Sequence, residues 1–181
     1  VRQVELAAHI TYVDLREGVY DLGDGIALTA TYLNHPLLCM GYRIDWRGRS
    51  VCTAFDTEPF RNLFVSDPAD PDYDEIMALE GEQAAREAGL RMHAFFRDAD
   101  LLIHDGQYTD PEYWAGRSGW GHSSVEQAVA AAEAAGCRQL ALIHHDPMRT
   151  DADLDALARQ HGGPRPASGL EVCFAREGLS I

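Results

Sequence analysis

Histidine and aspartate residues stand at the ends of successive apolar segments of this chain, and this placement constrains the fold more than any other feature. The residues in question lie in Asn34-His35-Pro36, Phe55-Asp56-Thr57, His104-Asp105 and Ile143-His144-His145. When strands end at the same rim of a sheet, the side chains that follow them are brought together. The pattern predicts a sheet with metal-binding or proton-transferring side chains on one rim, which is typical of a hydrolase site.

The first third of the chain has the pattern of an antiparallel sheet. Strands are predicted over residues 10–14, 26–33, 39–46 and 50–55. Gly23-Asp24-Gly25 supplies turn chemistry between the first two strands. Arg47-Gly48-Arg49 supplies a tight turn between the last two, which predicts a β-hairpin that ends at Asp56.

The rest of the chain alternates between helical and strand patterns. Helices are predicted over residues 74–97, 123–135 and 150–160, and strands over residues 101–103, 139–143 and 170–175. Ser123 followed by Glu126 matches a capping box, and Thr150 with Asp153 marks a second helix start. This alternation predicts an α/β fold, with helices flanking a mixed sheet.

Composition limits the class of protein and its setting. A chain of 181 residues with 46% apolar and 24% charged residues is able to form one globular domain. The four cysteines are scattered singly, which predicts buried thiols in a reducing compartment and excludes a zinc ribbon. Because no apolar run approaches the roughly 20 residues of a membrane span and no signal peptide pattern is present, we expect a cytoplasmic protein.

The charge balance bears on the partner. The chain has 29 acidic and 15 basic side chains, for a formal net charge of -14. A long polyanion is repelled by such a surface, so extended nucleic-acid binding is disfavoured. A small anion held directly by metal ions is compatible with it.

Three strand-end residues are candidate metal ligands. His35, Asp56 and His144 would supply two imidazoles and one carboxylate, which suit zinc, manganese or iron, and a carboxylate is able to bridge two ions. The alternative is that His35 is a turn residue before Pro36 and that Asp56 caps a strand end.

His122 has a different setting. It follows Gly119-Trp120-Gly121 and directly precedes a helix start, so a flexible backbone and a rigid element meet at this residue. A carboxylate partner would favour the protonated imidazole that a general acid needs, and Asp105 is the best candidate. The alternative is a structural, hydrogen-bonded histidine. The sequence leaves open whether His104 or Asp105 faces the site.

Five segments together resemble the metallo-β-lactamase superfamily. The segments are Leu33-Asn34-His35-Pro36, Ala54-Phe55-Asp56-Thr57-Glu58-Pro59, Leu101-Leu102-Ile103-His104-Asp105-Gly106, Gly119-Trp120-Gly121-His122-Ser123-Ser124 and Leu142-Ile143-His144-His145-Asp146-Pro147. They come in the family's order and cover nearly the whole chain. The resemblance is to the phosphodiesterase branch, which includes phosphoribosyl cyclic phosphate phosphodiesterases and tRNA 3′-processing ribonucleases.

The resemblance implies a four-layered αββα sandwich and a site for two divalent ions, Zn²⁺ or Mn²⁺. By the same resemblance His35 binds one ion, Asp56 bridges both and His144 binds the second. A metal-bridging hydroxide would attack phosphorus. His122 would donate a proton to the leaving oxygen, with Asp105 behind it.

One element of the family pattern is missing, because the HxHxDH signature occurs nowhere in the sequence. Residues 1–181 are therefore interpreted as the C-terminal half of a single metallo-β-lactamase-like domain, whose activity requires an N-terminal half as partner. We expect an isolated half to expose an apolar sheet face.

The leading hypothesis for function is a binuclear metal-dependent phosphodiesterase that acts on a small-molecule phosphate ester, with cyclic esters included. One alternative is a tRNA 3′-processing ribonuclease, which the net charge disfavours. Another is a non-catalytic half-domain that serves as an assembly module. No membrane partner is expected, and the superfamily branch suggests a homodimer.

Overall fold

The computed structural model describes residues 10–181, which form one mixed sheet of eight strands with four helices. The strands are β1 (Gly18–Asp21), β2 (Ala27–Tyr32), β3 (Met40–Trp46), β4 (Arg49–Ala54), β5 (Leu101–Asp105), β6 (Gln139–Ile143), β7 (Gly163–Arg165) and β8 (Leu170–Phe174). The helices are α1 (Glu75–Phe96), α2 (Asp110–Trp114), α3 (Val125–Ala134) and α4 (Asp151–His161). Across the sheet the strand order is β1-β2-β3-β4-β5-β6-β8-β7. The predicted α/β class is confirmed.

The first four strands form the predicted antiparallel half of the sheet. The β3–β4 hairpin turns at Arg47 and Gly48, which both have positive φ, as a two-residue hairpin turn requires. The predicted strand over residues 10–14 is wrong, because those residues have no regular structure and β1 lies further along the chain. The tight turn that joins Leu22 to Ile26 sets the register of the pair, so that Asp21 lies opposite Ala27. In this register the residues that pair with β2 are Gly18–Asp21.

The second half of the sheet is parallel. Strands β4, β5, β6 and β8 run side by side in one direction, with α1, α3 and α4 in the connections between them. Strand β2 runs in the same direction, because it is antiparallel to β3 and β3 is antiparallel to β4. The carboxyl ends of β2, β4, β5 and β6 therefore lie on one rim of the sheet, which is where ligands bind in sheets of this kind.

The core lies between the helices and one face of the sheet. Buried strand residues such as Cys52, Leu102 and Leu140 pack there with Phe96 and Val129 from the helices. Burial raises the pKa of the Cys52 thiol to about 12, which agrees with the prediction of a buried thiol. Of the other cysteines, Cys137 is buried while Cys39 and Cys173 are half-buried.

The opposite face of the sheet is also apolar but is only partly covered by the described residues. Ile44, Val51 and Leu101 are paired across three neighbouring strands, so their side chains share this face. Ile44 is 42% exposed, and the other two are half-buried. The expectation of an exposed apolar sheet face is met along this row.

Two local features differ from the sequence prediction. The N-cap of α3 is Ser124, whose hydroxyl accepts from the backbone N–H of Gln127, so the predicted pair of Ser123 and Glu126 is one residue too early. Helix α2 and the short strand β7 were not predicted. For α2 a signal is present, because Thr109 precedes Glu112 by three residues and its backbone N–H donates to that carboxylate at 2.7 Å.

No helix among residues 10–181 combines the length and the apolar character that a membrane span requires.

Candidate active site

The sheet rim brings together four side chains of types that are able to bind protons or metal ions. Asp56 follows β4, Asp105 ends β5, His122 precedes α3 and His144 follows β6. Each of the four offers one potential ligand atom, and these atoms lie within 4.8 Å of one another. The rim is thus the candidate active site.

Asp56 and His144 face each other at the open side of this group. His144 Nε2 lies 3.5 Å from Asp56 Oδ1, and both side chains are 40% exposed. His144 has a φ of 57°, in the left-handed region that residues other than glycine rarely adopt. Such a conformation costs about 1–3 kcal/mol, so the surrounding structure must hold it in place.

Asp105 and His122 form a buried pair behind them. The Nδ1 of His122 lies 2.6 Å from Asp105 Oδ2, and the Asp105 side chain is fully buried. The backbone N–H of Gln107 donates to the other carboxylate oxygen at 3.0 Å. Asp105 is therefore held rigidly against one nitrogen of the His122 ring.

The electrostatics of this pair follow from the short hydrogen bond and from burial. The hydrogen bond to Asp105 raises the pKa of His122, and this outweighs the opposing effect of burial. Burial raises the pKa of the Asp105 carboxyl, while His122 acts in the other direction. The contact with Asp105 thus favours the protonated form of His122.

His35 lies next to this group but is not part of the set of four. Its ring packs edge-on against His122, with ring centroids 5.4 Å apart, and its Nδ1 lies 3.0 Å from the carbonyl oxygen of Leu37. The backbone N–H of Leu37 also lies 3.1 Å from this Nδ1, so both backbone groups of Leu37 hold the ring through Nδ1. The structure therefore places His35 at the rim as a neighbour of His122.

Gly121 makes the approach of His35 sterically feasible. A Cβ atom at Gly121 would lie 2.3 Å from His35 Cδ2 and 2.5 Å from Pro36 Cδ, and its φ is 89°. Only glycine fits this combination of close contact and positive φ. The Gly-Trp-Gly-His sequence is thus explained by packing as well as by turn geometry.

The structure also shows which member of two adjacent pairs of residues faces the rim. Asp105 faces the rim, whereas the buried His104 ring packs edge-on against Phe96 on the helix side of the sheet. His144 faces Asp56, whereas the His145 ring stacks on Phe174 with centroids 5.7 Å apart.

Three residues to which the sequence analysis gave no role in the site tie the rim loops together. Glu58 is buried and accepts from the Tyr113 hydroxyl at 2.9 Å and from the backbone N–H of Gly119 at 2.8 Å. The Asn34 amide donates to the carbonyl oxygen of Glu58, and the Ser123 hydroxyl donates to that of Thr57 at 2.7 Å. All three lie in the motifs quoted above, but sequence spacing does not reveal such cross-links.

Solved structures of known proteins share the fold of this chain. The metallo-β-lactamase fold protein YhfI from Bacillus subtilis superposes on 90% of this chain with a TM-score of 0.56 and 21% identity. Short-form human tRNase Z covers 89% of the chain with a TM-score of 0.53 and 17% identity. A diphosphatase from the PhnP family covers 91% with a TM-score of 0.52 and 16% identity.

The chain has a metallo-β-lactamase fold. The matches cover 51% of YhfI, 43% of the human tRNase Z and 46% of the diphosphatase. No family model matches the sequence. The fold that the sequence motifs imply is thereby confirmed.

Sequence relatives point to the same branch of metallo-β-lactamase-fold proteins. Ribonuclease Z of Exiguobacterium sibiricum is 28% identical over 167 residues, an alignment that covers 76% of this chain and 52% of the relative. The chain thus spans about half the length of this curated relative. The resemblance to a branch that includes tRNA-processing enzymes is confirmed.

The donors at the rim of this metallo-β-lactamase-fold chain fit a divalent metal ion. Two ligands at about 2.0–2.2 Å from one ion, at the tetrahedral angle, lie roughly 3.4 Å apart. The 3.5 Å between Asp56 Oδ1 and His144 Nε2 matches this span. An imidazole nitrogen with a carboxylate oxygen is a donor set that both zinc and manganese accept.

Proposed function

We propose that this chain supplies part of the active site of a metal-dependent phosphodiesterase. The observation that carries the proposal is the convergence of Asp56, Asp105, His122 and His144 within 4.8 Å on one sheet rim. In this proposal Asp56, His144 and the adjacent His35 would hold two divalent ions, Zn²⁺ or Mn²⁺, with Asp56 as a ligand to both. Asp105 and His122 handle the proton.

We further propose that residues 1–181 are the C-terminal half of one domain. Three protein ligands are too few for two ions, since even a single catalytic zinc usually has three. The chain matches only 52% of the ribonuclease Z relative, and the sheet face that carries Ile44 is apolar and partly exposed. An N-terminal half that covers this face and adds the missing ligands accounts for all three observations.

The mechanism assigns separate tasks to the described side chains. Bound divalent ions would supply activation of water and stabilisation of the charge that builds on the phosphoryl oxygens. His122, protonated through its contact with Asp105, gives its proton to the departing alcohol oxygen. Asp105 fixes the orientation of the ring and stabilises the imidazolium form, because its carboxylate is buried and held by backbone N–H donors.

Two substrate classes compete within this proposal. The net charge of -14 favours a small phosphate ester, cyclic esters included, over a long polyanion. The ribonuclease Z relative favours RNA, which argues against the expectation that nucleic-acid binding is disfavoured. tRNA 3′ processing is therefore the second candidate. A cytoplasmic location and a homodimer stay predictions.

The test uses the full-length protein with Zn²⁺ or Mn²⁺ added. Bis(p-nitrophenyl) phosphate reports phosphodiester cleavage, and a precursor tRNA with a 3′ trailer is the second substrate. We expect hydrolysis of the chromogenic ester that is lost in His122→Ala and kept in His93→Ala, an exposed histidine on α1. Absence of bound metal together with absence of cleavage would instead support the assembly-module alternative. Faster cleavage of the tRNA than of small esters would select the second candidate.

A further inference from the structure

A cavity of about 510 Å³ lies behind the sheet rim, on the helix side of the sheet. Its apolar wall includes Phe60, Met92, Phe96 and Ala131, from the loop after β4 and from helices α1 and α3. The volume is within the range of about 300–1,000 Å³ that is usual for small-molecule sites. The cavity is separate from the group of four side chains, although it lies next to them.

One buried polar group faces this cavity without a partner. The His104 side chain lines the cavity and is only 4% exposed. Its Nδ1 lies 2.7 Å from the carbonyl oxygen of Asp105, so Nδ1 donates and Nε2 keeps its lone pair. Among the residues described, none forms a hydrogen bond with Nε2. This nitrogen is therefore available to a hydrogen-bond donor of a ligand in the cavity.

Charged side chains of both signs line the cavity. Arg61 and Arg86 line the cavity, are exposed, and form no ion pair with the residues in the described range. Two carboxylates also line it. Glu58 is already occupied by the Tyr113 hydroxyl and the Gly119 N–H, and Glu82 is exposed. The two guanidinium groups are available to bind an anionic group of a ligand.

We propose that this cavity is a binding site for a small organic anion that has an apolar body and one hydrogen-bond donor. The apolar body packs between Phe96 and Met92, the donor binds His104 Nε2, and the anionic group lies at Arg61 and Arg86. The proposal is independent of the phosphodiesterase assignment, because none of these side chains belongs to the group at the rim.

The position of the cavity connects such a ligand to the rim. Thr57 and Ser123 line the cavity, and each directly follows a residue of the site, Asp56 and His122 respectively. His104 directly precedes Asp105. A bound anion therefore contacts three of the segments that set the geometry of the rim.

The test uses two matched fluorescent probes and the full-length protein. 8-Anilinonaphthalene-1-sulfonate has an aromatic body, one N–H donor and one negative charge, and N-phenyl-1-naphthylamine is the same molecule without the charge. We expect Arg86→Ala to weaken binding of the charged probe roughly tenfold, since hydrogen bonds to charged groups are the stronger ones. Binding of the neutral probe should stay unchanged in this variant.

Two further variants complete the design. Ala131→Leu fills part of the cavity and should weaken the binding of both probes. Arg91→Ala is the control for Arg86→Ala, because Arg91 is an exposed arginine that also lies on α1 but does not line the cavity. Both arginine variants change exposed side chains, so the fold is retained in each. If Arg86→Ala and Ala131→Leu bind the charged probe as tightly as Arg91→Ala does, the probe lies on other apolar surfaces and the proposal is wrong.

Discussion

The Nδ1 atom of His122 lies 2.6 Å from Oδ2 of Asp105, whose side chain is fully buried beneath the sheet rim. This contact joins two segments that are separated by helix α2 and a glycine-containing loop. Because Asp105 holds Nδ1, Nε2 is the ring nitrogen of His122 that is left for a reacting group.

His122→Ala tests the proton-transfer role. We expect the full-length variant to keep its metal content and to lose about 10²–10⁴-fold in turnover of a phosphodiester, the usual contribution of a general acid. Asp105→Asn should also lower turnover, because the amide does not stabilise an imidazolium. The measurements are steady-state kinetics and elemental analysis, with His93→Ala as the exposed control. Unchanged turnover in His122→Ala would remove this residue from the mechanism.

Asp56→Ala tests the proposed metal site. In the proposal Asp56 is a ligand to both ions, so we expect the metal content of the variant to fall clearly. The measurement is elemental analysis of the dialysed full-length protein. Asp70→Ala is the matched control, because Asp70 is an exposed carboxylate in the loop before α1. Full occupancy in the Asp56→Ala protein would refute the assignment of this residue as a ligand.

Gly121→Ala tests the packing of the rim. The added Cβ would lie 2.3 Å from His35 Cδ2, whereas a Cβ at Gly116, which also has positive φ, meets nothing within 4 Å. Backbone strain affects both variants, so Gly116→Ala serves as the control for it. We expect Gly121→Ala to lower the free energy of unfolding by about 1–3 kcal/mol more than Gly116→Ala, the usual cost of overpacking. Chemical denaturation of both proteins provides the comparison, and equal losses would contradict the close contact.

His104 predicts a pH dependence of stability. Burial lowers the pKa of His104 in the folded protein below the 6.5 of an unperturbed histidine. Below about pH 6.5 the unfolded chain therefore binds a proton that the folded chain does not, so stability falls as the pH falls. We expect His104→Gln to reduce this slope by up to about 1.4 kcal/mol per pH unit. Chemical denaturation at several pH values from 7 to 5 gives the free energy of unfolding of both proteins as a function of pH. Equal slopes for the two proteins would contradict the prediction.

Several parts of the fold were predictable because they depend on local sequence. The β3–β4 hairpin follows from alternating residues around Arg47 and Gly48, and helix α4 follows from Thr150 with Asp153. The strand-end position of Asp56 and His144 follows from the apolar runs that precede them. Parallel strand direction then places both residues on the same rim.

Other features were decided only by tertiary contacts. Residues 10–14 have strand-like composition, but the tight turn at residues 22–26 fixes a register in which Gly18–Asp21 pair with β2. Ser123 and Ser124 are equally able to cap a helix. Because the Ser123 hydroxyl donates to Thr57, the cap of α3 falls to Ser124.

The sequence by itself determined which residue types stand at the strand ends and therefore which chemistry the rim supports. Only the tertiary structure decided which member of each adjacent pair faces it. Asp105 turns to the rim and His104 to the helices because the helices cover one face of the sheet. His144 reaches Asp56 through a left-handed backbone conformation that packing must maintain, and no local sequence pattern specifies it.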